Sequence, residues 1–428
     1  MCPNGSDILI LSETGLDIEQ GLRLLSGDLG MLSGLSVSFG TADQSHTMAM
    51  GLAQEALLES GCFVEAKKPL SDDSLYDLAS LTKVFTAVCV MQLIERGKIK
   101  LDDGFGRLDP RFVHLRDVCV YDVLTYQAVL RTRERVDAQT DAGEAEALIF
   151  DCRRVDGPEP ERLYSDMNAL LCKYLVESVS GLSFEEYLQR YIFSPLGMKD
   201  TFARVPRQRI PDCLNYNYEH RVIDGQYFIN TRAVPGLPHD PKARLLISGG
   251  RGLCGHAGIF STAQNMVQFA QGLLAGSILS RRMLLEIGRN RTGRACGGYY
   301  RQYLGYLCFS KSAVQRLSEV PSWMGERAFG QAGYTGNHLA IDPEMGVFDL
   351  LLGNRCHMRV SAVEPGEQAE RLGLSAEGTG SVNWPDGRQV KSSFRYVHQK
   401  DRLIHEPALR AMLELGWLTR ENIGGNDE

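Results

Sequence analysis

One stretch of the chain places a serine and a lysine in a spacing suited to covalent catalysis: Ser80-Leu81-Thr82-Lys83, at the head of an apolar segment. A three-residue spacing puts the Ser80 hydroxyl and the Lys83 amine on one helical face, about one turn apart. A serine hydroxyl becomes a useful nucleophile only when a neighbour takes its proton, and a lysine can do so when burial depresses its pKa. The amino end of a helix adds a field that favours negative charge on Ser80 or its adduct. The pattern alone is weak evidence, because 29 Ser and 11 Lys in 428 residues yield about one such pair by chance. Context discriminates. The lysine inside Ala79-Ser-Leu-Thr-Lys-Val-Phe85 leads a strongly apolar run, where a purely solvated lysine is not expected.

A second candidate, Tyr164-Ser165-Asp166, is the only Tyr-x-Asn/Asp of the chain and precedes a helix starting near Ala169. A tyrosine held near a lysine can shuttle a proton between nucleophile and leaving group. The same segment also suits plain helix entry, with Ser165 or Asp166 capping and Tyr164 packing. In Phe329-Gly-Gln-Ala-Gly-Tyr-Thr-Gly336 the glycines let backbone approach a ligand, and a strand edge offers an N–H to an oxyanion. A strand entrance without a ligand explains those glycines equally well. His239-Asp240 and His256 invite a Ser-His-Asp triad, but no Gly-x-Ser-x-Gly elbow accompanies them. His256 is better taken as a hydrogen-bonded structural residue. Gly250-Arg-Gly-Leu-Cys-Gly255 has the form of a dinucleotide fingerprint, with strand-like Leu245–Ser248 before it. That fingerprint needs an acidic residue about 20 positions on, and no Asp or Glu occurs between Gly255 and Glu286. The glycines are therefore assigned to a tight turn beneath a cleft. No His/Cys/Asp cluster has metal-ligand spacing, so neither metal nor cofactor is expected.

These residues need elements to hold them. Leu81–Arg96 is apolar on most sides, which predicts a buried helix stopped by Gly97. Helices are also expected at about Leu16–Leu25, Ala169–Val179, Phe184–Tyr191, Asn265–Leu274 and Ala408–Leu415. Leu35–Phe39 and Thr47–Ala53 read as strands, and Gly336–Ile341 and Val347–Leu352 as a hairpin turning at Asp342–Gly346. The acidic segments Asp137–Glu146 and Glu364–Glu377 suit solvated surface or loops, the latter within a polar, Gly-rich stretch from Glu364 to Gly387. The pattern predicts a sheet domain built from residues 1–100 and 325–428, around a mainly helical domain at 101–324.

Composition bounds the function. The net charge is −7 (46 basic against 53 acidic residues), 43% of residues are hydrophobic and 23% charged. That is enough apolar surface to exclude disorder as the main state. No basic run supplies the stripe a nucleic-acid partner requires. Met1–Ser12 lacks the Lys or Arg of a secretory signal, and the longest apolar stretch, Val84–Ile94, is too short to span a bilayer. Eleven cysteines without a Cys-x-x-Cys pair fit reduced thiols. A cytoplasmic chain with no membrane association follows as the expectation, and its oligomeric state is not legible.

Taken together the segments resemble the serine β-lactamase and penicillin-binding-protein-like hydrolases, on the side nearest class C β-lactamases and related esterases. The resemblance rests on Asp77-Leu-Ala-Ser80-Leu-Thr-Lys83, Tyr164-Ser-Asp166-Met-Asn168, Gly255-His-Ala-Gly-Ile-Phe-Ser-Thr262 and the Phe329–Gly336 segment. It continues through Leu339-Ala-Ile-Asp-Pro343 and Gly353-Asn-Arg355, with a weaker Asp122-Val-Leu-Thr-Tyr-Gln127. Order and spacing fit across about residues 30–357, and residues 358–428 match only loosely.

The resemblance implies an α+β, β-lactamase/transpeptidase-like fold, an antiparallel sheet flanked by helices plus a mainly helical domain, with the site in the cleft between them. It makes Ser80 the acylated nucleophile and has Lys83 and Tyr164 share proton transfer. The backbone N–H groups of Ser80 and Tyr334, beside Gly333, become the oxyanion hole. Asp166 stands where many relatives have Asn and would touch the substrate or Lys83, and His256 falls near the cleft. Where relatives carry Lys-Thr-Gly or His-Thr-Gly, this chain has Gln331-Ala332-Gly333. The loss of a cation, with Asp166 adding negative charge, argues against tight recognition of penicillin's carboxylate. The expected substrate is a small ester or amide (an acyl ester, a D-amino-acid derivative or a muropeptide-like amide). Acyl transfer to an amine or alcohol, and a ligand-binding protein disabled by Gln331-Ala332, are the alternatives.

Overall fold

Alternating apolar residues build the central layer. In Val347–Gly353 the side chains of Val347 and Leu351 enter one core, and those of Phe348, Leu350 and Leu352 enter another. This is the period-two division of a strand buried on both faces. It is the middle strand of a seven-stranded antiparallel sheet. In space the order is Phe309–Ser310, Phe329–Gly333, Asn337–Asp342, Val347–Gly353, Gly34–Thr41, Ser45–Glu59 and Cys62–Pro69. Pairs such as Val37 with Leu351 and Gln331 with Leu339 fix the register. The structure, a computed structural model, describes residues 16–156, 163–296, 299–314, 318–364 and 369–419; Met1–Ser12 lies outside them.

One sheet face is covered by the two ends of the chain, with Leu22 and Leu25 packing beside Leu403, Leu409 and Met412. The other carries the Thr82–Glu95 helix, in which every residue from Thr82 to Leu93 is buried, as its apolar sequence requires. Gly97 follows at φ 66°, a stop that a side chain would strain. The helices Asp166–Ser180 and Ala263–Leu274 pack into the same core. Ala263–Leu274 also rests on Gly34–Thr41 and Val347–Gly353, and Phe309–Ser310 adds an edge strand. Residues from the middle of the chain thus contribute to the sheet layer. The α+β arrangement expected from the sequence is the one that forms.

Local differences have physical causes. Leu245–Ser248 belongs to the helix Pro241–Ser248, with Asp240 capping through Ala243 N–H, so no strand precedes Gly250 and Gly252. Their φ angles of 78° and 75° make the tight turn. A hairpin, Glu219–Ile223 and Gln226–Asn230, interrupts the helical middle and is joined by Val360–Glu364 in parallel. The stretch expected as a loop holds a second hairpin, Ser381–Asn383 and Gln389–Lys391, because Val382, Trp384 and Val390 supply a small core with Val222 and Val360. Asp137–Glu146 is likewise no plain surface loop. Asp141 caps the helix Ala142–Phe150, and Glu146 bonds Tyr174 and Arg251. Among the described residues no helix is long and apolar enough to cross a membrane.

Candidate active site

Ser80 lies on a 3-10 turn, Ala79–Leu81, that runs straight into the Thr82–Glu95 helix. Ala79 adopts φ 46°, a left-handed conformation that costs a residue with a side chain about 1–3 kcal/mol. Asp77 holds the turn. Its Oδ1 accepts the Ala79 N–H at 3.0 Å and its Oδ2 accepts the His239 N–H at 2.7 Å. Its carbonyl takes the Thr335 hydroxyl at 2.8 Å and the Asn337 amide at 2.7 Å. One buried acid, its pKa raised by desolvation, therefore joins the Ser80 turn to the strand region behind it. Gly333 permits the close approach, since a Cβ there would stand 2.6 Å from the Leu78 carbonyl.

Lys83 is fully buried, and its Nζ donates to Ser80 Oγ at 2.7 Å, Asp166 Oδ1 at 2.9 Å and the His256 carbonyl at 3.3 Å. Three acceptors use all three donors of an ammonium. Burial penalises that charge, yet the Asp166 carboxylate and the Tyr164 hydroxyl outweigh it and hold the Lys83 pKa above its ordinary value. The depressed pKa expected from burial alone is thus reversed by the carboxylate that stands in the Asn position.

Tyr164 is gripped from both sides, its ring stacked on Tyr126 at 5.6 Å and on Phe309 at 5.2 Å. Lys83 Nζ lies 4.9 Å from the ring centroid. The Tyr164 oxygen accepts from Gln331 Nε2 at 2.9 Å, so the amide keeps the donor a lysine or histidine would offer and omits its charge. Gln331 Oε1 is buried without a partner among the described residues.

Asp166 opens the helix Asp166–Ser180 and reaches two lysines, Lys83 through Oδ1 and Lys242 through Oδ2, each at 2.9 Å. Lys242 also lies 3.7 Å from Asp240, which pairs with His256 Nε2 at 2.9 Å. His256 is buried behind the cleft and meets the site through its carbonyl. The adjacent Gly255 packs so closely that a Cβ would come within 2.1 Å of the Ala169 carbonyl. His239 pairs with Glu219 at 3.0 Å, so neither histidine is bonded to Ser80. Donor atoms of Asp166, Asp240 and His256, and of Glu219, His239 and Cys356, gather within 4.8 Å, groupings that linear spacing did not reveal. In both sets protein cations already occupy the carboxylates: Lys83 and Lys242 in one, Arg221 in the other.

Ser80, Tyr164, Asp166, Gln331, Gly333 and Tyr334 line one cleft of about 700 Å³. Tyr334 stacks on His239 and donates to Glu219 Oε1 at 2.7 Å. No motif marked the cations Arg221 and Arg244 on the same walls, and Arg355 stood only at the end of the Gly353-Asn-Arg355 segment with no role attached. Arg221 is matched by Glu219 at 2.8 Å, whereas Arg244 and Arg355 have no carboxylate within 4 Å among the described residues. Lys242 meets Asp166 from a distant point of the chain, whereas Arg221 and Arg244 bond near neighbours in sequence and gave no signal that they would face the cleft.

A sequence profile of the β-lactamase family matches residues 38–371. A Salmonella gallinarum protein provisionally named D-alanyl-D-alanine carboxypeptidase is 25% identical over 318 residues, covering 68% of this chain and 71% of that protein. Among solved structures, the chain resembles simvastatin synthase from Aspergillus terreus with a TM-score of 0.61 and 17% identity, over 93% of this chain and 95% of that one. It resembles the octameric penicillin-binding protein homologue of Pyrococcus abyssi with a TM-score of 0.56 and 19% identity, over 79% and 72%. A class C β-lactamase mutant gives a TM-score of 0.57 at 15% identity, over 79% and 93%. At such identities the structural likeness speaks to the fold. The matched range takes in the Ser80 turn, the Tyr164 segment and the strand bearing Gln331, and the chain belongs to the β-lactamase family.

Proposed function

We propose that this protein is a serine hydrolase that cleaves an amide or ester through an acyl-enzyme on Ser80. The observation that carries the proposal is the 2.7 Å contact between Ser80 Oγ and Lys83 Nζ, on a strained turn that opens into the cleft. Because the resting Lys83 holds a full set of protons, one proton must leave the Lys83–Tyr164 pair before attack. The vacancy then takes the Ser80 proton as Oγ bonds to the substrate carbonyl carbon. Backbone N–H groups of Ser80 and Tyr334 would meet the oxyanion, and the stored proton would pass to the departing amine or alcohol. Water repeats the sequence on the acyl-enzyme, releasing the acid and restoring Ser80. The Gln331 amide would stabilise negative charge developing on the Tyr164 oxygen.

The cleft also favours a substrate class. An amide of the D-amino-acid or muropeptide type, which carries a carboxylate, fits the cations on the walls of the cleft. Arg244 and Arg355 suit an anionic group on that small molecule. The neutral Gln331-Ala332 pair and the Asp166 carboxylate count against an antibiotic-resistance β-lactamase. Nine free thiols among the described residues support a reducing, cytoplasmic setting.

Intact mass after incubation with a fluorophosphonate probe tests the proposal. A single adduct is expected on the wild type and none on Ser80→Ala. Folded wild type that acquires no adduct would refute it and favour a binding protein. Product analysis with an added amine acceptor then separates hydrolysis from acyl transfer.

A further inference from the structure

The carboxylate of Asp166 is shared. Its two oxygens each hold a lysine at 2.9 Å, Lys83 from the buried helix and Lys242 from the first turn of the Pro241–Ser248 helix. Lys242 leans in turn on Asp240, which His256 holds from the other side. The result is a chain of alternating charges, Lys83–Asp166–Lys242–Asp240, that begins beside Ser80 and ends on the His256 ring. An isolated Asp166 would bind the Lys83 proton tightly and block the step that Ser80 requires. A second cation on the same carboxylate weakens that hold.

We propose that Lys242 is a positioning residue that divides the charge of Asp166 and so sets the pH at which the Lys83–Tyr164 pair releases the proton Ser80 needs. The inference rests on the serine-hydrolase reading above. The groups around the chain are accounted for. Lys83 faces Ser80, Asp166, Tyr164 and the His256 carbonyl, with Cys308 near it and Tyr126 behind Tyr164. Lys242 faces Asp166, Asp240 and Asp137. The three carboxylates hold its pKa above the ordinary lysine value despite burial, so it is charged wherever Ser80 could react. Asp166 stays ionised well below the usual carboxylate range, burial being overcome first by Lys83 and then by His256 and Lys242. Lys242 forms no contact with Ser80, which separates its effect from the chemistry itself.

The test is the rate of Ser80 labelling by a fluorophosphonate between pH 6 and 12, followed by intact mass. Lys242→Met is expected to move the midpoint up by about one pH unit, a tenfold slowing on the acid side, while the high-pH plateau is retained. Lys242→Arg should restore the wild-type midpoint. The pair Asp166→Asn with Lys242→Met should also return toward it, because carboxylate and counter-charge leave together. A Lys242→Met midpoint within about 0.2 units of wild type, or a lowered plateau with an unmoved midpoint, would overturn the inference. If Lys242→Met does not fold, Lys242→Gln takes its place under the same criteria. Wild type that is not labelled at any pH would instead overturn the serine-hydrolase reading, and the role of Lys242 with it.

Discussion

Replacing Lys83 with methionine keeps a long apolar stem on the buried helix and removes three donors together with one charge. The structure sets the size of the effect. At 2.9 Å and an effective dielectric near 20, the pairing with Asp166 is worth about 6 kcal/mol before desolvation is charged against it. Breaking a buried pair costs about 3–5 kcal/mol net. Asp166 retains Lys242, and its side chain is 29% exposed, so the lower end, about 3 kcal/mol, applies here. For a chain of this length that corresponds to a fall in Tm of roughly 3 °C. The chemical loss is larger, because proton transfer by a positioned group contributes about 10²–10⁴-fold. The pH dependence has a definite sign. Asp166 titrates below its unfolded value, so its contribution is present above about pH 4 and lost as the pH falls through its folded pKa. Without Lys83 that contribution shrinks, and the Tm gap between variant and wild type should narrow below pH 4. The assays are fluorophosphonate labelling of Ser80 and differential scanning calorimetry on the same preparations. A variant labelled within tenfold of the wild-type rate would refute the assignment of Lys83 to the proton path, whatever its stability.

Two more outcomes follow from the walls of the cleft. Arg244→Ala should lower kcat/KM for an ester carrying a carboxylate by about tenfold or more, and change that of a neutral ester little; equal losses on both would remove the anionic subsite. Glu219 accepts from Arg221, His239, Tyr334 and Ser361 and is held well below the usual carboxylate range, with burial overcome first by His239 and then by Arg221. Glu219→Gln should cost about 3–5 kcal/mol at pH 7. Its folded pKa is depressed, so the gap in Tm should close as the pH drops below about 4, and a gap independent of pH would contradict the ion pairing.

The sequence by itself determined the main elements and offered the candidate groups. The apolar run after Ser80 read as a buried helix and Val347–Leu352 as a strand of a hairpin, and both are present. Once Ser80 began that helix, helical geometry placed Lys83 beside it, since a three-residue spacing is a local constraint. The hairpin in Glu364–Gly387 was missed because its apolar residues, Val382 and Trp384, are few and complete their small core with Val222, far away in the chain. The same reason hid Lys242, whose partner Asp166 lies in another helix, and the arginines, which reach the cleft from separate elements. The protonation of Lys83 was inverted on the same account. Burial follows from local apolarity and can be read along the chain, whereas the counter-charge that decides a buried pKa arrives through space, and only the tertiary structure decided it.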